Sequence, residues 1–185
     1  VPQLAAHGPT VSIDGPVFAV NGKRVWLGEK LDRWKATLPG EARCIMGDRV
    51  ITLCIWDELG ISVGTGEFDK SRAEFINVDL VLPRIVYGAT ESEFIPRKAF
   101  AGSLRFDGFP ISTDTEFRSI VKNVPRRRQL RCGGRDCSNP GGNFEDVGMI
   151  KLHLSSSTDR GTVENLSVAC AELELCVGIA AATTN

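Results

Sequence analysis

One arrangement occurs twice in this chain, and it restricts the fold more than any single motif does. Residues 17–25 and 103–111, displaced by 86 positions, each hold a short apolar run, a turn pair and a second short run, with Asn21-Gly22 in the first segment and Asp107-Gly108 in the second. Both central residues of a two-residue hairpin turn need positive φ, which Asn, Asp and Gly accept most readily, so each segment predicts a β-hairpin. The correspondence runs on into an amphipathic helix: Leu31, Trp34 and Leu38 recur as Phe117, Ile120 and Val124, and Val121 adds an i+4 position. Thr113, Asp114, Thr115 and Glu116 read as a capping box for the second helix, and Pro125 stops that helix as Pro39-Gly40 stops the first. Strand-rich stretches follow each helix, at 49–56, 61–63 and 74–82 in the first copy and at 148–154 and 163–170 in the second. The alternation of Phe75, Asn77, Asp79 and Val81 suits a strand with one exposed face.

The expected fold class is α+β: a tandem repeat of β-hairpin, helix and antiparallel strands, in two pseudo-symmetric halves that bury both apolar helix faces. Residues 1–10 read as a flexible leader, 11–96 as the first repeat with 83–96 as its connector, and 97–185 as the second repeat. A length of 185 residues suffices for one ordinary domain or two small units sharing a core.

Charge places limits on partners. Lys and Arg number 22 against 23 Asp and Glu, for a formal charge of -1, so nothing global draws the chain to nucleic acid or to an anionic membrane. No apolar run approaches the roughly 18 residues of a membrane span. Val1 and the small-residue stretch after it fit the start of a mature chain, exported with its signal or lipoprotein anchor removed, and fit a trimmed cytoplasmic chain as well. Six cysteines in an even set favour the exported, periplasmic reading. Cys132 and Cys137 bracket a Gly-Gly-Arg-Asp turn, and Cys44 and Cys54 flank Gly47-Asp48, so these are the preferred disulfide pairs. Cys170 and Cys176 are expected as free thiols, because on one continuous strand they would stand about 20 Å apart.

The copies part company at residues 124–143. That stretch reads as an insertion in the second repeat, a protruding basic loop with no core of its own, in which Arg126, Arg127, Arg128, Arg131 and Arg135 gather beside Lys122. Arginines in this density suit carboxylate or phosphate on a partner. In the first copy Asp57 and Glu58, in the turn after Trp56, offer negative charge to a partner, and they equally serve as ordinary turn residues before Gly60.

Catalysis finds little to build on. The two histidines are His7, in the leader, and His153, in a predicted strand, and no nucleophile elbow, phosphate loop, zinc-protease helix or calcium loop is present. The C-x4-C and C-x5-C spacings differ from zinc knuckles, so no metal or other cofactor is expected.

The apolar-Asn21-Gly22 hairpin, the Trp56-Asp57-Glu58-Leu59-Gly60-Ile61 motif and the second hairpin around Asp107-Gly108 resemble an uncharacterised bacterial family that pairs such a hairpin with Trp-Asp-(Asp/Glu)-Leu-Gly-Ile. Its members look like proteins encoded beside interbacterial toxins, including type VI secretion effectors. The resemblance implies an immunity protein that neutralises a cognate bacterial toxin; with no catalytic constellation in the sequence, the expectation is a protein that is not an enzyme and that occludes the toxin's active site. The second copy lacks the Trp-Asp-Glu-Leu-Gly-Ile counterpart. An envelope domain that is structural or binds acidic glycans is the competing expectation, and a hydrolase centred on His153 is the third.

Overall fold

The computed structural model describes residues 8–46, 51–67, 69–82, 91–124, 130–139, 150–156 and 161–183. In chain order it contains β1 (Thr10–Asp14), β2 (Val17–Val20), β3 (Lys23–Trp26), α1 (Leu31–Thr37), β4 (Arg43–Met46), β5 (Thr52–Trp56), β6 (Ile61–Thr65) and β7 (Ala73–Asp79). A 3-10 turn (Glu91–Phe94) leads to β8 (Ser103–Phe106), β9 (Phe109–Ile111), α2 (Phe117–Asn123), β10 (Arg131–Gly133), β11 (Asp136–Ser138), β12 (Ile150–Ser155), β13 (Asn165–Cys170) and α3 (Leu173–Thr183). The class is α+β. Two sheets form, one of five strands in the order β3-β2-β1-β8-β9 and one of eight in the order β10-β11-β12-β13-β7-β6-β5-β4. Segments from before and after the connector contribute to both sheets, and a single apolar cluster joins them.

The small sheet grows from the two hairpins. Asn21 and Asp107 adopt φ of 50° and 47°, and Gly22 and Gly108 follow at 81° and 80°, the geometry that the two turn pairs predict. Between the hairpins lies β1, antiparallel to β2 and parallel to β8. Its Val11 and Ile13 join Phe18, Val20, Val25, Leu104, Phe106 and Ile111 on the buried face. Ser12, Ala19, Arg24, Arg105 and Pro110 line up across the opposite face.

Both helices bury the residues that their periodicity selects: Leu31 and Trp34 in α1, Phe117 and Ile120 in α2. Trp34 stacks 5.4 Å from Phe18 and donates its indole N–H to the Trp26 carbonyl at 3.2 Å. The capping box is corrected. Glu116 is the residue before α2 and makes no side-chain cap, while the Thr115 hydroxyl accepts from the Ser112 amide and Glu116 pairs with Arg118. A main-chain bridge fixes the helix start instead: the Phe117 amide donates to the Gly161 carbonyl at 2.7 Å and Glu116 bridges Thr162. In α1 the Leu31 amide donates to Ser71 at 2.8 Å and Lys30 bridges Arg72.

In the large sheet, β4 to β7 and β10 to β13 are two antiparallel runs that meet where β7 pairs with β13. Alternation puts Trp56, Ile61, Val63, Ile76, Val78, Leu166 and Val168 on the core face. Gly64 lies inside β6, and the Phe75 ring of the neighbouring strand covers it. The register shifts beside it, between Gly64 and Thr65.

Three disulfides form: Cys44–Cys54, Cys132–Cys137 and Cys170–Cys176. The first two are the expected pairs, each a directly opposed cross-strand pair with Cα atoms 4.0 Å apart. Two sequence expectations change here. Residues 131–133 and 136–138 are not a protruding loop but the outermost hairpin of the large sheet. Cys170 and Cys176 are not free thiols: β13 ends at Cys170, the chain turns at Ala171-Glu172, and the first turns of α3 bring Cys176 back to a Cα distance of 6.3 Å. Gly28, at φ 92°, lets the main chain of Cys176 and Val177 pass where a Cβ would stand.

Candidate binding surface

Of the basic residues singled out in sequence, Arg131 and Arg135 lie in the β10–β11 hairpin, whereas Arg126, Arg127 and Arg128 fall outside the described residues. The hairpin turns at Gly134, φ 58°, and Arg131, Cys132, Gly133, Gly134, Arg135 and Asp136 are all exposed. Its inner anchor is Cys137, fully buried opposite Leu154, so the disulfide ties an exposed strand to a core position. Ser156 fixes the turn further by donating its amide to the Arg135 carbonyl at 2.8 Å. Together these contacts hold Arg131 and Arg135 on a braced element.

Beside the hairpin runs a groove of about 670 Å³, between β10 and the exposed side of α2. Phe117, Val121 and Leu130 give it an apolar floor, and Arg118 and Lys122 stand on its rim with Glu116. Val121 is 44% exposed, large for an apolar helix residue. Arg118 is committed in part to Glu116.

The acidic pair Asp57 and Glu58 is used within the chain. Asp57 is only 14% exposed and receives two hydrogen bonds from Arg43, Nε to Oδ2 and Nη2 to Oδ1, each 3.0 Å. The Arg97 amide also donates to Asp57 at 3.2 Å, and Arg43 reaches on to the Glu93 carbonyl at 2.7 Å. Glu58 pairs with Lys98. The motif therefore clamps residues 93–98 against the β5–β6 turn. The hydrogen bond from Arg43 holds the Asp57 carboxyl below the ordinary carboxylate range, against the opposing effect of burial. Gly60, at φ 68°, completes the clamp, since a Cβ there would strike the main chain of Ala99 and Phe100.

A polar row crosses the non-core face of the large sheet. Ser62, Asn77, Ser167, His153, Ser138 and Arg131 are successive cross-strand partners. At its centre Asn77 accepts from Ser167, and in the adjoining row Asn165 donates to Asp79 at 2.7 Å. Burial pushes the Asp79 carboxyl up, with the Asn165 hydrogen bond opposing it. His153 Nε2 lies 3.1 Å from Asp136 Oδ1, on an exposed part of the sheet. Among the described residues no group of His, Cys, Asp and Glu is arranged to hold a metal, and no helix is long and apolar enough to cross a membrane.

A family model described as a domain of unknown function, DUF7738, matches residues 10–121. The chain belongs to the DUF7738 family. The DUF7738 match starts with β1 and ends inside α2, so the β10–β11 hairpin, β12, β13 and α3 lie beyond it. The groove is thus bounded by a DUF7738 helix on one side and by a strand outside the matched region on the other. No curated protein and no solved structure matches the chain.

Proposed function

We propose that this protein is an immunity protein that binds a cognate interbacterial toxin, a type VI secretion effector, in the periplasm and inhibits it by covering its active site. The observation that carries the reading is the β10–β11 hairpin: basic, exposed, and pinned to the core through Cys137. Arg is enriched among the residues that dominate binding energy, and a braced basic surface favours fast, salt-sensitive association with an acidic target. Three disulfides support an oxidising compartment. The sequence resemblance to proteins encoded beside toxins supplies the class of partner.

The scaffold is read as a duplication of two pseudo-symmetric halves, 11–96 and 97–185. Four correspondences support this: left-handed turn residues at the same offset, helix starts anchored by equivalent bridges, an antiparallel run after each helix, and a disulfide across the outer hairpin of each run. In this reading the basic hairpin is the second-half counterpart of β4–β5, re-surfaced with arginine for binding.

The test is co-purification of the protein with its proposed cognate toxin, using wild type and two charge variants. One replaces Arg131 and Arg135 with Ala, and the other replaces Arg126, Arg127 and Arg128 with Ala. Weakened binding with unchanged thermal stability is expected from at least one of them. Unchanged affinity in both removes the basic segment from the interface. Retention on acidic glycan resin with no protein partner supports an envelope glycan-binding domain instead.

A further inference from the structure

Four strands form the edges of the two sheets, and each edge exposes main-chain donors and acceptors that attract other strands unless blocked. Three of them are blocked or flanked. On β3 the outward amide of Trp26 is capped by the Glu29 carboxylate at 2.9 Å, and its carbonyl accepts from the Trp34 indole and the Glu29 amide. β9 carries Pro110, which has no N–H, opposite Arg105. β10 is three residues long and is flanked by α2.

The fourth edge, β4, carries none of these devices among the described residues, and Glu93 meets only the side chain of its first residue, Arg43. Cys44 and Cys54 are directly opposed with Cα atoms 4.0 Å apart, near the spacing of a non-hydrogen-bonded antiparallel pair and well short of the roughly 5.5 Å of a hydrogen-bonded one. The Thr52 amide, opposite Met46, turns away from β4 to the Thr65 hydroxyl at 3.0 Å, as the same alternation requires. Cys44 and Met46 therefore point their N–H and C=O groups away from β5, and no other main-chain group among the described residues takes them. Met46 is 72% exposed and Cys44 is exposed. Arg43, the strand's single charge, has its guanidinium held by Asp57 and Glu93.

From the edge of β4, unpaired among the described residues, we infer a docking site for a second copy of this chain, paired antiparallel through β4 about a two-fold axis at Ile45. Rotation about that axis sets Cys44 against Met46 of the other copy, and Met46 against Cys44, so all four outward N–H groups meet outward carbonyls. The spacing of two between the free positions makes the edge self-complementary, as an isologous contact requires. Cys44 and Met46 share one sheet face, so each Met46 covers the Cys44–Cys54 disulfide of its neighbour. No like charges face each other across the axis, because Arg43 is turned into its own chain. The pairing is independent of the toxin-binding surface. Such a contact is small, which places its dissociation constant in the range of about 1–100 µM.

Sedimentation equilibrium of the full chain across that range tests the inference. Wild type is expected to shift from monomer to dimer. Met46→Pro, which deletes an outward N–H that the β4–β5 pair does not use, and Met46→Lys, which puts a charge beside the axis, are both expected to stay monomeric with the wild-type circular dichroism spectrum. If Met46→Pro fails to fold, Met46→Lys decides. A wild type monomeric throughout, or a dimer that survives Met46→Lys, overturns the inference.

Discussion

Replacing Asp57 with Ala tests the clamp that binds residues 93–98 to the β5–β6 turn. The substitution removes two hydrogen bonds from Arg43 and one from the Arg97 amide. Bonds to a charged group contribute about 1.5–3 kcal/mol each when shielded, for a gross loss of roughly 5 kcal/mol. Arg43 is one-third exposed, however, so water recovers part of its hydrogen bonding, and the Arg97 side chain at the rim of the pair adds little. A net loss of about 2 kcal/mol follows, equivalent to a Tm lower by about 4–8 °C for a chain of this size. The pH dependence carries a definite sign. The folded-state pKa of Asp57 is depressed by Arg43, so its stabilisation is present above the unfolded value, near 4, and is lost as pH falls through the lower folded value. Urea denaturation of wild type and Asp57→Ala should therefore differ most at neutral pH and converge in acid. A cycle with Arg43→Ala isolates the pair, because a residue that acts through Arg43 loses its effect once Arg43 is gone. A loss below about 0.5 kcal/mol, or strictly additive single and double variants, would refute the clamp.

Asp79 should respond in the opposite sense. Burial raises its pKa, so the stability it confers is complete below its unfolded value and falls as pH rises through the folded one. Asp79→Asn, which can still accept from Asn165, should then stabilise the protein at pH 7 by about 0.5–2 kcal/mol, with the advantage disappearing in acid denaturation series; a variant less stable than wild type at pH 7 contradicts this. Replacing Cys170 and Cys176 together with Ser should cost about 2 kcal/mol and speed hydrogen exchange in α3 more than in α1, and equal exchange in the two helices would show that the disulfide does not anchor α3.

Much of the scaffold was legible because its signals are local. Asn21-Gly22 and Asp107-Gly108 encode their turns through backbone sterics alone, and Trp34 and Ile120 mark buried helix faces by spacing alone. Cys44–Cys54 and Cys132–Cys137 followed from short hairpins that leave each pair face to face. Features that depend on distant partners were not legible. The start of α2 is fixed by Gly161, dozens of residues away, so the capping box around Thr113 misled. α3 has apolar and small residues on every side and thus no 3.6-residue signal, which hid the bend at Ala171-Glu172 that pairs Cys170 with Cys176. β10 and β11 contain few apolar residues, so their membership of the large sheet depends on pairing with β12. Strand β1 did offer a clue, the alternation of Val11 and Ile13 with polar neighbours, but its parallel pairing with β8, which joins the two hairpins, depends on a distant partner. At the basic segment, composition alone gathers the arginines. The groove beside them appears only once α2 and β10 are adjacent, and the commitment of Asp57 to Arg43 only once β4 lies beside β5.

The most direct test of the proposed inhibition is a titration in which the activity of a candidate cognate toxin is measured as increasing amounts of the protein are added. Loss of activity with a stoichiometric end point is expected, with a right-shifted curve when Arg131 and Arg135 are both changed to Glu. Toxin activity that persists at a large excess of the folded, disulfide-bonded protein would contradict it.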